Sequence, residues 1–576
     1  MAIRLLVAII CILWSISCSA AGQNRKLVLL FTSDLHSQVL PNSNNEEGFA
    51  KIASVVSRER ELAKEQGAAF LLVDGGDISM GSVFHTLFAE EAIEYRAMAR
   101  IGYDAYALGN HAFDFGTEAL VQMFANARSK DSLYTFPQLL AANIHYEGVP
   151  SEKYAVLERN GLKIGVFGLM GENSHNVMGS KSRDKVEFND PVQTAKEIVE
   201  TLKPQTDYII ALSHGGASCG DDVKLAKKVR GIDFIVSGHD HDVFPEPVQV
   251  KGTPLGAAGA NGKYVGKAVF QDGALVGYEL IPVDASVPAN PAMGSWIDSM
   301  YNVVGVEFEK LSGKRLDDTI AFVDREYPDV LDENKNMVLG TNIAAAYRHT
   351  AIGNLPEVSP SQIIGVVPMG VIRKGLKDGV LTNRDAFEVL SLGENERGRT
   401  GYPLVYVWVT GKELQDLCEM SVTVSPFWDD AKLFFSGLDY RYNGAGFPFL
   451  RVDKVEVDGQ VADPEKLYML VTCQYTAQLV GMLKTESYGI LSAVPKDANG
   501  QVLAEGYLYL RNKDGRTIPV WEAFAGYLEK GLFDSKGESG TVENDDFVPL
   551  GYTLGAVLLC ALILWLMRNR KTGAKH

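Results

Sequence analysis

Polar side chains of three types follow five short apolar runs of the chain, each at the point where the run ends. Val28–Phe31 is followed by Asp34 and His36, and Leu71–Val73 is followed by Asp77. Ala105–Leu108 is followed by Asn110 and His111, Ile209–Leu212 by His214, and Phe234–Val236 by His239 and His241. An apolar run that closes on Gly, Asp or His is typical of a buried strand that ends in a loop. Because sheet proteins assemble their sites in such loops, the sequence predicts one site built from these side chains.

The side chains in this set are carboxylate, imidazole and one amide, with no thiolate. Such donors suit Zn, Mn, Fe or a similar divalent ion. One histidine in one loop would be better explained as an ordinary polar residue, but five such loops in succession favour a metal site. The donors suffice for two ions about 3.5–4 Å apart, bridged by the two oxygens of Asp77. We expect one ion among Asp34, His36, Asp77 and His241, and the other among Asp77, Asn110, His214 and His239.

With these motifs, the chain resembles the metallophosphoesterase superfamily, and specifically its two-domain 5′-nucleotidase family. The motifs DxH, GD, GNH, SHGG and GHxH stand in the family's order within residues 25–285. The resemblance implies the ligand assignment above, makes His111 the catalytic histidine and has Asp114 orient its ring. It also implies a four-layer α/β/β/α catalytic sandwich followed by an α/β substrate domain. One residue departs from the pattern: Ala112 stands where the family usually has a glutamate, which is not a metal ligand there.

Residues 335–530 resemble the substrate domain of the same family. Gly370, Ile372 and Arg373 match one motif of that domain, and Thr382 and Asp385 match the next. Arg373 is therefore the candidate for contacting a phosphate or carboxylate through charge-assisted bidentate hydrogen bonds. The alternative interpretation of Arg373 is a solvated surface arginine.

The aromatic residues that hold a nucleobase in the family are not evident in this chain. Lys432 occupies the position expected for the first stacking ring. Phe434 and Phe435 follow closely, but strand alternation would direct only one of them to the cleft, and we take this to be Phe435. Tyr488 is the substitute for the second ring, in a stretch that lacks the family's GGDG turn. The predicted substrate-binding residues are thus Arg373, Phe435 and Tyr488.

Both ends of the chain carry targeting signals. Arg4 precedes an apolar stretch and small residues up to Ala21, which predicts a secretory signal peptide over residues 1–21. A lipoprotein signal that uses Cys18 is the second choice. Residues 548–567 contain no charge and are long enough to cross a bilayer as a helix. Because a basic tail over residues 568–576 follows, the body of the protein should face the periplasm or the outside, anchored by this helix.

Composition and length agree with an exported protein of two domains. Alternating strands and helical stretches, such as Phe49–Glu65, Glu90–Arg100 and Pro191–Leu202, indicate a layered α/β architecture. The predicted order is a catalytic domain over 25–285, a linker with a connecting helix over 286–334, a substrate domain over 335–530 and an acidic spacer over 531–547. The net charge of −17 argues against nucleic acid as a partner.

The odd number of cysteines left in the mature chain argues against a disulfide framework. Outside the predicted signal and anchor segments the chain has Cys219, Cys418 and Cys473. Cys418 and Cys473 could pair, but two unpaired buried thiols are the preferred interpretation.

Three functions are compatible with these residues. The first is an exported phosphohydrolase that acts on 5′-nucleotides or related phosphorylated metabolites. The second is a two-metal hydrolase of another bond, such as a sulfur ester, thiosulfate or a sugar nucleotide. The third is a surface-binding protein without catalysis, against which the complete ligand set and His111 weigh.

Overall fold

The computed structural model describes residues 25–332, 336–394, 401–426, 429–486, 491–536 and 542–543. The predicted signal peptide, transmembrane helix and basic tail lie outside these ranges, as does most of the acidic spacer. Within the described ranges, no helix is both long and apolar enough to cross a bilayer. The chain divides into two compact units between Glu307 and Phe308, within the segment predicted as the linker.

The first unit contains two six-stranded sheets. In spatial order, the strands of one are Ala274–Pro282, Tyr264–Gln271, Lys26–Thr32, Ala69–Asp74, Ala105–Ala107 and Gln138–Leu140. The strands of the other are Val248–Val250, Thr253–Gly256, Phe234–Ser237, Tyr208–His214, Leu162–Met170 and Tyr154–Arg159. All five apolar runs singled out in the sequence are therefore strands, as predicted.

A shared core joins the two sheets. Alternate residues of both, such as Leu29, Phe31, Val166 and Leu212, are at most 1% exposed and pack in one cluster. Helix Phe49–Glu65 packs against the first sheet, and helices Pro191–Leu202 and Asp221–Lys228 pack against the outer face of the second. These are the four α/β/β/α layers expected of the catalytic domain.

The sequence predicted the limits of two helices of the first unit. Helices Phe49–Glu65 and Pro191–Leu202 have the predicted bounds, and Asp190 caps the latter by accepting from the Gln193 N–H at 2.8 Å. The other helices of the unit are Phe88–Glu91, Ile93–Ile101, Thr117–Lys130, Glu172–Val177 and Ser180–Arg183, with 3₁₀ turns at Val83–Leu87 and Asn110–Phe113. A short ladder also pairs Ile144–His145 with Glu187–Phe188.

One helix prediction was wrong. The stretch predicted as a single helix over Glu90–Arg100 is two helices, interrupted at Ala92, which has a left-handed backbone with φ of 49°. The break frees the Glu91 carbonyl, which accepts a hydrogen bond at 3.0 Å from the Arg96 guanidinium. This local hydrogen bond helps to offset a backbone conformation that costs a non-glycine residue about 1–2 kcal/mol.

The second unit is also α/β. Its five-stranded sheet has the order Leu433–Ser436, Ile363–Pro368, Leu467–Cys473, Leu404–Thr410 and Leu508–Tyr509. A four-stranded sheet has the order Gln460–Val461, Val452–Val457, Leu438–Tyr442 and Val542–Glu543, and a two-stranded ladder joins Thr319–Val323 to Gly379–Thr382. The helices are Val338–Asn354, Asn383–Val389, Gly411–Val424, Gln474–Glu486 and Val520–Glu529, with 3₁₀ turns at Pro360–Gln362, Met369–Val371 and Asp429–Ala431. The connecting helix predicted within the linker over 286–334 is observed as Pro291–Ser312.

The three cysteines within the described residues are free thiols. Cys418 and Cys473 are buried and unpaired, which confirms the preferred interpretation. Burial raises the pKa of both thiols, so neither is a reactive thiolate at neutral pH.

Candidate metal centre

Parallel strand register brings the predicted ligands to the same edge of the two sheets. Thr32 pairs with Asp74 and Asp74 with Tyr106, so the loops after these strands begin side by side. The first two loops are also bonded to each other, since the Asp34 N–H donates to the Gly76 carbonyl at 2.8 Å. In the second sheet Ser237 pairs with Ser213, which places the loops of His239 and His214 together.

Five of the seven predicted ligands have a left-handed backbone. They are Asp34, His36, Asp77, His239 and His241, with φ between 46° and 81°. Such conformations cost non-glycine residues of order 1–3 kcal/mol each and concentrate at functional sites. The surrounding structure therefore holds these side chains in positions that the local sequence would not choose.

The side chains converge into two groups that match the predicted division. Asp34, His36 and His241 form one group, and Asp77, His214 and His239 form another, with the donor atoms of each group within 4.8 Å of one another. Asp77 also groups with His36 and His111, which places it next to both sets. Asn110, the remaining predicted ligand, is the first residue of the turn Asn110–Phe113 that also carries His111.

Two local features fit divalent ions. The Nε2 atoms of His36 and His241 face each other at 3.0 Å, and two ligand atoms each about 2.1 Å from one ion lie about 3 Å apart when bound at right angles. The Oδ1 atom of Asn110 is buried and has no hydrogen-bond partner among the described residues. A buried amide oxygen without a donor is unfavourable, and a hard cation would satisfy it.

The cluster contains buried titratable groups whose pKa values are shifted by burial and by one another. Burial raises the pKa of Asp34 to about 7. Burial acts in the same direction on Asp77, but the charges of His214 and His111 hold its pKa well below the usual value. Burial and the nearby His214 lower the pKa of His239 to about 3, so its ring is neutral, as a metal ligand must be. Burial lowers the pKa of His214, but the charge of the neighbouring Asp77 carboxylate raises it to about 9, so this ring is protonated in the metal-free site and would lose its proton on binding an ion.

Glycines allow the loops to approach this closely. A Cβ atom on Gly109 would lie 1.9 Å from the Asp77 Oδ1 atom, so only glycine permits the Asn110 loop to reach the carboxylate. Gly76 has φ of 106°, and a Cβ there would lie 2.7 Å from the His214 Nδ1 atom. The glycines of the GGD and GNH motifs thus have a direct steric explanation.

His111 is positioned by two carboxylates. Its backbone N–H donates to the Asp77 Oδ1 atom at 3.0 Å, and its Nδ1 atom lies 2.6 Å from the Asp114 Oδ2 atom. The contact with Asp114 fixes the orientation of the His111 ring and occupies Nδ1, so Nε2 is the nitrogen that is available for proton transfer. His111 is therefore held in a fixed orientation beside the predicted metal ligands.

Sequence reasoning missed three supporting residues. Asp74, directly before the GGD motif, accepts from the Thr32 hydroxyl at 2.6 Å and from the Gly76 N–H at 2.8 Å. Asp222 accepts from the hydroxyls of Ser213 and Ser237, the residues before His214 and Gly238. Asn173 lies 2.9 Å from the ring of His239. None of the three belongs to a recognisable motif, so only the folded chain reveals them.

The three predicted substrate-binding residues belong to the second unit, and they differ in their exposure to solvent and in whether the structure describes them. Arg373 is partly exposed, and its guanidinium makes no hydrogen bond or ion pair among the described residues. Phe435 is 9% exposed and packs in the core with Val366 and Tyr440, a placement that does not favour stacking on a ligand. Tyr488 lies outside the described residues.

Other motif positions of this unit have structural roles. Thr382 and Asp385 form a capping box at the start of helix Asn383–Val389. Lys432 is buried, and Phe434 packs against helix Val338–Asn354, where a Cβ on Gly340 would meet its ring at 2.4 Å. These residues therefore provide no visible aromatic platform for a base.

Two family models match the chain. Residues 27–243 match the calcineurin-like phosphoesterase model, and residues 319–484 match the model of the 5′-nucleotidase C-terminal domain. The two matches follow the two units of the structure. The first contains every predicted metal ligand and His111, and the second contains Arg373.

Whole-chain comparisons extend this likeness over both units. The chain is 26% identical to Protein UshA of Yersinia enterocolitica over 520 residues, which cover 82% of this chain and 88% of the relative. It is 28% identical to a 5′-nucleotidase of Vibrio parahaemolyticus, over 73% of this chain and 79% of the relative. Among solved structures, a 5′-nucleotidase precursor from Thermus thermophilus aligns with a TM-score of 0.68 at 23% identity, over 91% of this chain and 100% of that one. The sulfate thiohydrolase SoxB of the same organism aligns with a TM-score of 0.66 at 17% identity, over 92% and 98% respectively, and shares the fold.

Proposed function

Because this chain belongs to the two-domain 5′-nucleotidase family of calcineurin-like phosphoesterases and is a metal-dependent phosphoester hydrolase, we propose that it releases phosphate from 5′-nucleotides or related phosphorylated metabolites at a two-ion centre. The observation that carries the proposal is the convergence of six carboxylate and imidazole ligands into two adjacent groups. His111 and its partner Asp114 lie beside both groups.

In this proposal each ion has its own ligand set. Asp34, His36 and His241 would hold the first ion, Asn110, His214 and His239 would hold the second, and Asp77 would contribute to both. Divalent ions at such a site supply Lewis-acid chemistry, which activates water as a nucleophile and neutralises charge on a phosphoryl group. The metal can be Zn, Mn, Fe or a similar ion, because the donors are oxygen and nitrogen.

The other residues act directly on the substrate. Nε2 of His111 donates a hydrogen bond or a proton to the phosphate or to the leaving oxygen, and Asp114 keeps the ring in the orientation that this transfer needs. Arg373 binds the anionic group of the substrate. Phe435 and Tyr488 remain the proposed base contacts, although the burial of Phe435 does not favour stacking of its ring on a base.

We further propose that the protein acts outside the cytoplasm, on the periplasmic or extracellular face, tethered by the apolar segment 548–567. The support for this is the pattern of residues 1–21 and 548–576 described above.

A substrate panel tests the proposal. The purified full-length protein, solubilised in detergent and loaded with Zn²⁺ or Mn²⁺, is assayed against 5′-nucleotides, sugar nucleotides and thiosulfate. We expect phosphate release from nucleotides to dominate. A dominant rate on thiosulfate would favour a two-metal hydrolase of another bond, an activity with which the missing aromatic residues of the substrate domain are compatible. No turnover of any compound by the metal-loaded protein would favour a binding protein.

Base preference is expected to be weak. Losing one aromatic stack costs about 1–3 kcal/mol. Of the two aromatic residues predicted to contact the base, Phe435 is buried in the core and Tyr488 lies outside the described residues. The values of kcat/KM for AMP, GMP, CMP and UMP should therefore lie within about tenfold of one another, which corresponds to about 1.4 kcal/mol. A preference of about a hundredfold for one base would mean that a base pocket exists elsewhere in the chain.

Removal of the Arg373 side chain should weaken substrate binding whatever the base. A charge-assisted hydrogen bond contributes about 1.5–3 kcal/mol, so Arg373→Ala should lower kcat/KM for all four nucleotides about 10- to 100-fold. Arg441→Ala is the matched control, since Arg441 is an exposed arginine of the same unit that faces Asp453 at 3.9 Å. Equal kcat/KM values for Arg373→Ala and Arg441→Ala would mean that Arg373 is a solvated surface residue.

A further inference from the structure

Two of the proposed histidine ligands share one hydrogen-bonding pattern. The Nδ1 atom of His36 lies 3.1 Å from the Met80 carbonyl, and the Nδ1 atom of His214 lies 3.0 Å from the Gly75 carbonyl. In each ring the other nitrogen, Nε2, faces another predicted ligand, His241 or Asp77 respectively. A protein oxygen thus binds one ring nitrogen and leaves the other for the ion, which is the usual arrangement for metal-binding histidines.

His239 reverses this pattern. Its Nε2 atom, rather than Nδ1, lies 2.9 Å from a protein oxygen, the Oδ1 atom of Asn173. Its backbone N–H donates to Asp34 at 3.0 Å, so the main chain of His239 is fixed beside the first ligand group. By the rule that the other two rings follow, Nδ1 is the nitrogen of His239 that remains for the second ion.

The backbone around Asn173 is fixed by hydrogen bonds. Its own N–H donates to the Asp221 Oδ2 atom at 2.8 Å. On either side of it, the Gly171 N–H and the Ser174 hydroxyl both donate to the carbonyl of His214, at 3.0 and 2.7 Å. The segment that carries Asn173 is therefore bonded to the main chain of a second proposed ligand of the same ion.

We propose that Asn173 is a positioning residue of the second ion site, accepting a hydrogen bond from Nε2–H of His239 so that Nδ1 is the ligand atom. This inference rests on the assignment of His239 as a ligand in the proposed function. An amide oxygen can only accept, so the contact keeps the ring proton on Nε2 and leaves the lone pair of Nδ1 unprotonated. Asn173 does not touch the substrate in this role.

The tautomer of His239 tests the inference without any metal. Full-length protein with ¹⁵N-labelled histidine is stripped of metal and observed by NMR, with the His239 signals assigned from a His239→Gln variant. We expect the Nε2–H tautomer in the wild type and a mixture of tautomers in Asn173→Ala. An Nδ1–H tautomer in the wild type, or an unchanged tautomer in the variant, would overturn the inference.

Metal affinity provides the second measurement. Loss of an outer partner of a ligand histidine typically costs 10–100-fold in metal affinity, so Asn173→Ala should weaken binding of the second Zn²⁺ ion by about this factor. The first ion should bind as in the wild type, as measured by chelator competition. Asn173→Asp should restore or strengthen the binding, because a carboxylate is a stronger acceptor from Nε2–H.

Asn176→Ala is the matched control. Asn176 is an exposed asparagine of the same short helix, Glu172–Val177, and its side chain makes no hydrogen bond among the described residues. Both ions should bind to this variant with wild-type affinity. If the wild type bound only one ion, the two-ion proposal would fail, while the tautomer of the metal-free protein would still decide the role of Asn173.

Discussion

Replacing Asp77 by alanine is expected to remove both metal ions and nearly all activity. Asp77 belongs to two of the side-chain clusters, one with His214 and His239 and one with His36 and His111, and its two oxygens are directed to His111 and His214. Bound ions contribute several kcal/mol to stabilising the charge of the transition state, and each 1.4 kcal/mol is a tenfold change in rate. Turnover should therefore fall on the order of 10³-fold or more, together with the metal content.

Elemental analysis of the purified variant measures the metal, and phosphate release measures turnover. Asp77→Asn keeps the shape of the side chain and serves as a second variant in case Asp77→Ala does not fold. Thermal unfolding of the metal-free proteins shows whether each variant is folded. Asp298→Asn is the control, since Asp298 is exposed on helix Pro291–Ser312. Full metal content in a folded Asp77→Ala protein would disprove the bridging role.

Replacing His111 by asparagine should slow turnover while the ions stay bound. A lost general acid typically costs 10²–10⁴-fold, and asparagine cannot transfer a proton at neutral pH. His111 adjoins His36, with ring centroids 5.4 Å apart, but the two ligand groups are complete without it. We therefore expect about a 10²–10⁴-fold lower kcat with wild-type metal content.

Asp114 provides a second variant on the same ring. Asp114→Asn keeps a polar partner 2.6 Å from Nδ1 in the native geometry but loses the negative charge that stabilises the protonated ring. Its effect on kcat should be smaller than that of His111→Asn, and the double variant should be no slower than His111→Asn alone. A near-wild-type rate for metal-replete His111→Asn would remove this histidine from the mechanism.

Much of the catalytic unit could be predicted from local sequence. A buried strand needs a continuous apolar run, and a turn out of it needs Gly, Asp or a similar residue, so the five strands and their polar loops are evident without the fold. The division of the ligands into two groups followed from the resemblance and from the number of donors. The cap of helix Pro191–Leu202 was equally local, since Asp190 and Pro191 are standard signals of a helix start.

The second unit was less predictable. Strand alternation could not decide between Phe434 and Phe435 as a ligand contact, because each face of strand Leu433–Ser436 is covered by protein. Thr382 and Asp385 matched a family motif, yet their side chains cap a helix. A match of residue types there did not distinguish a binding role from a structural one.

By itself, the sequence determined the strands, the ligand types and the order of the motifs, because each depends on residues that are neighbours in the chain. The tertiary structure decided what depends on residues far apart. It places Gly109 against Asp77, gives five proposed ligands a left-handed backbone, and sets Asn173 beside His239 across 66 positions of sequence. No periodicity or short motif can encode such contacts, because they arise only when parallel strands of two packed sheets bring their loops to one edge.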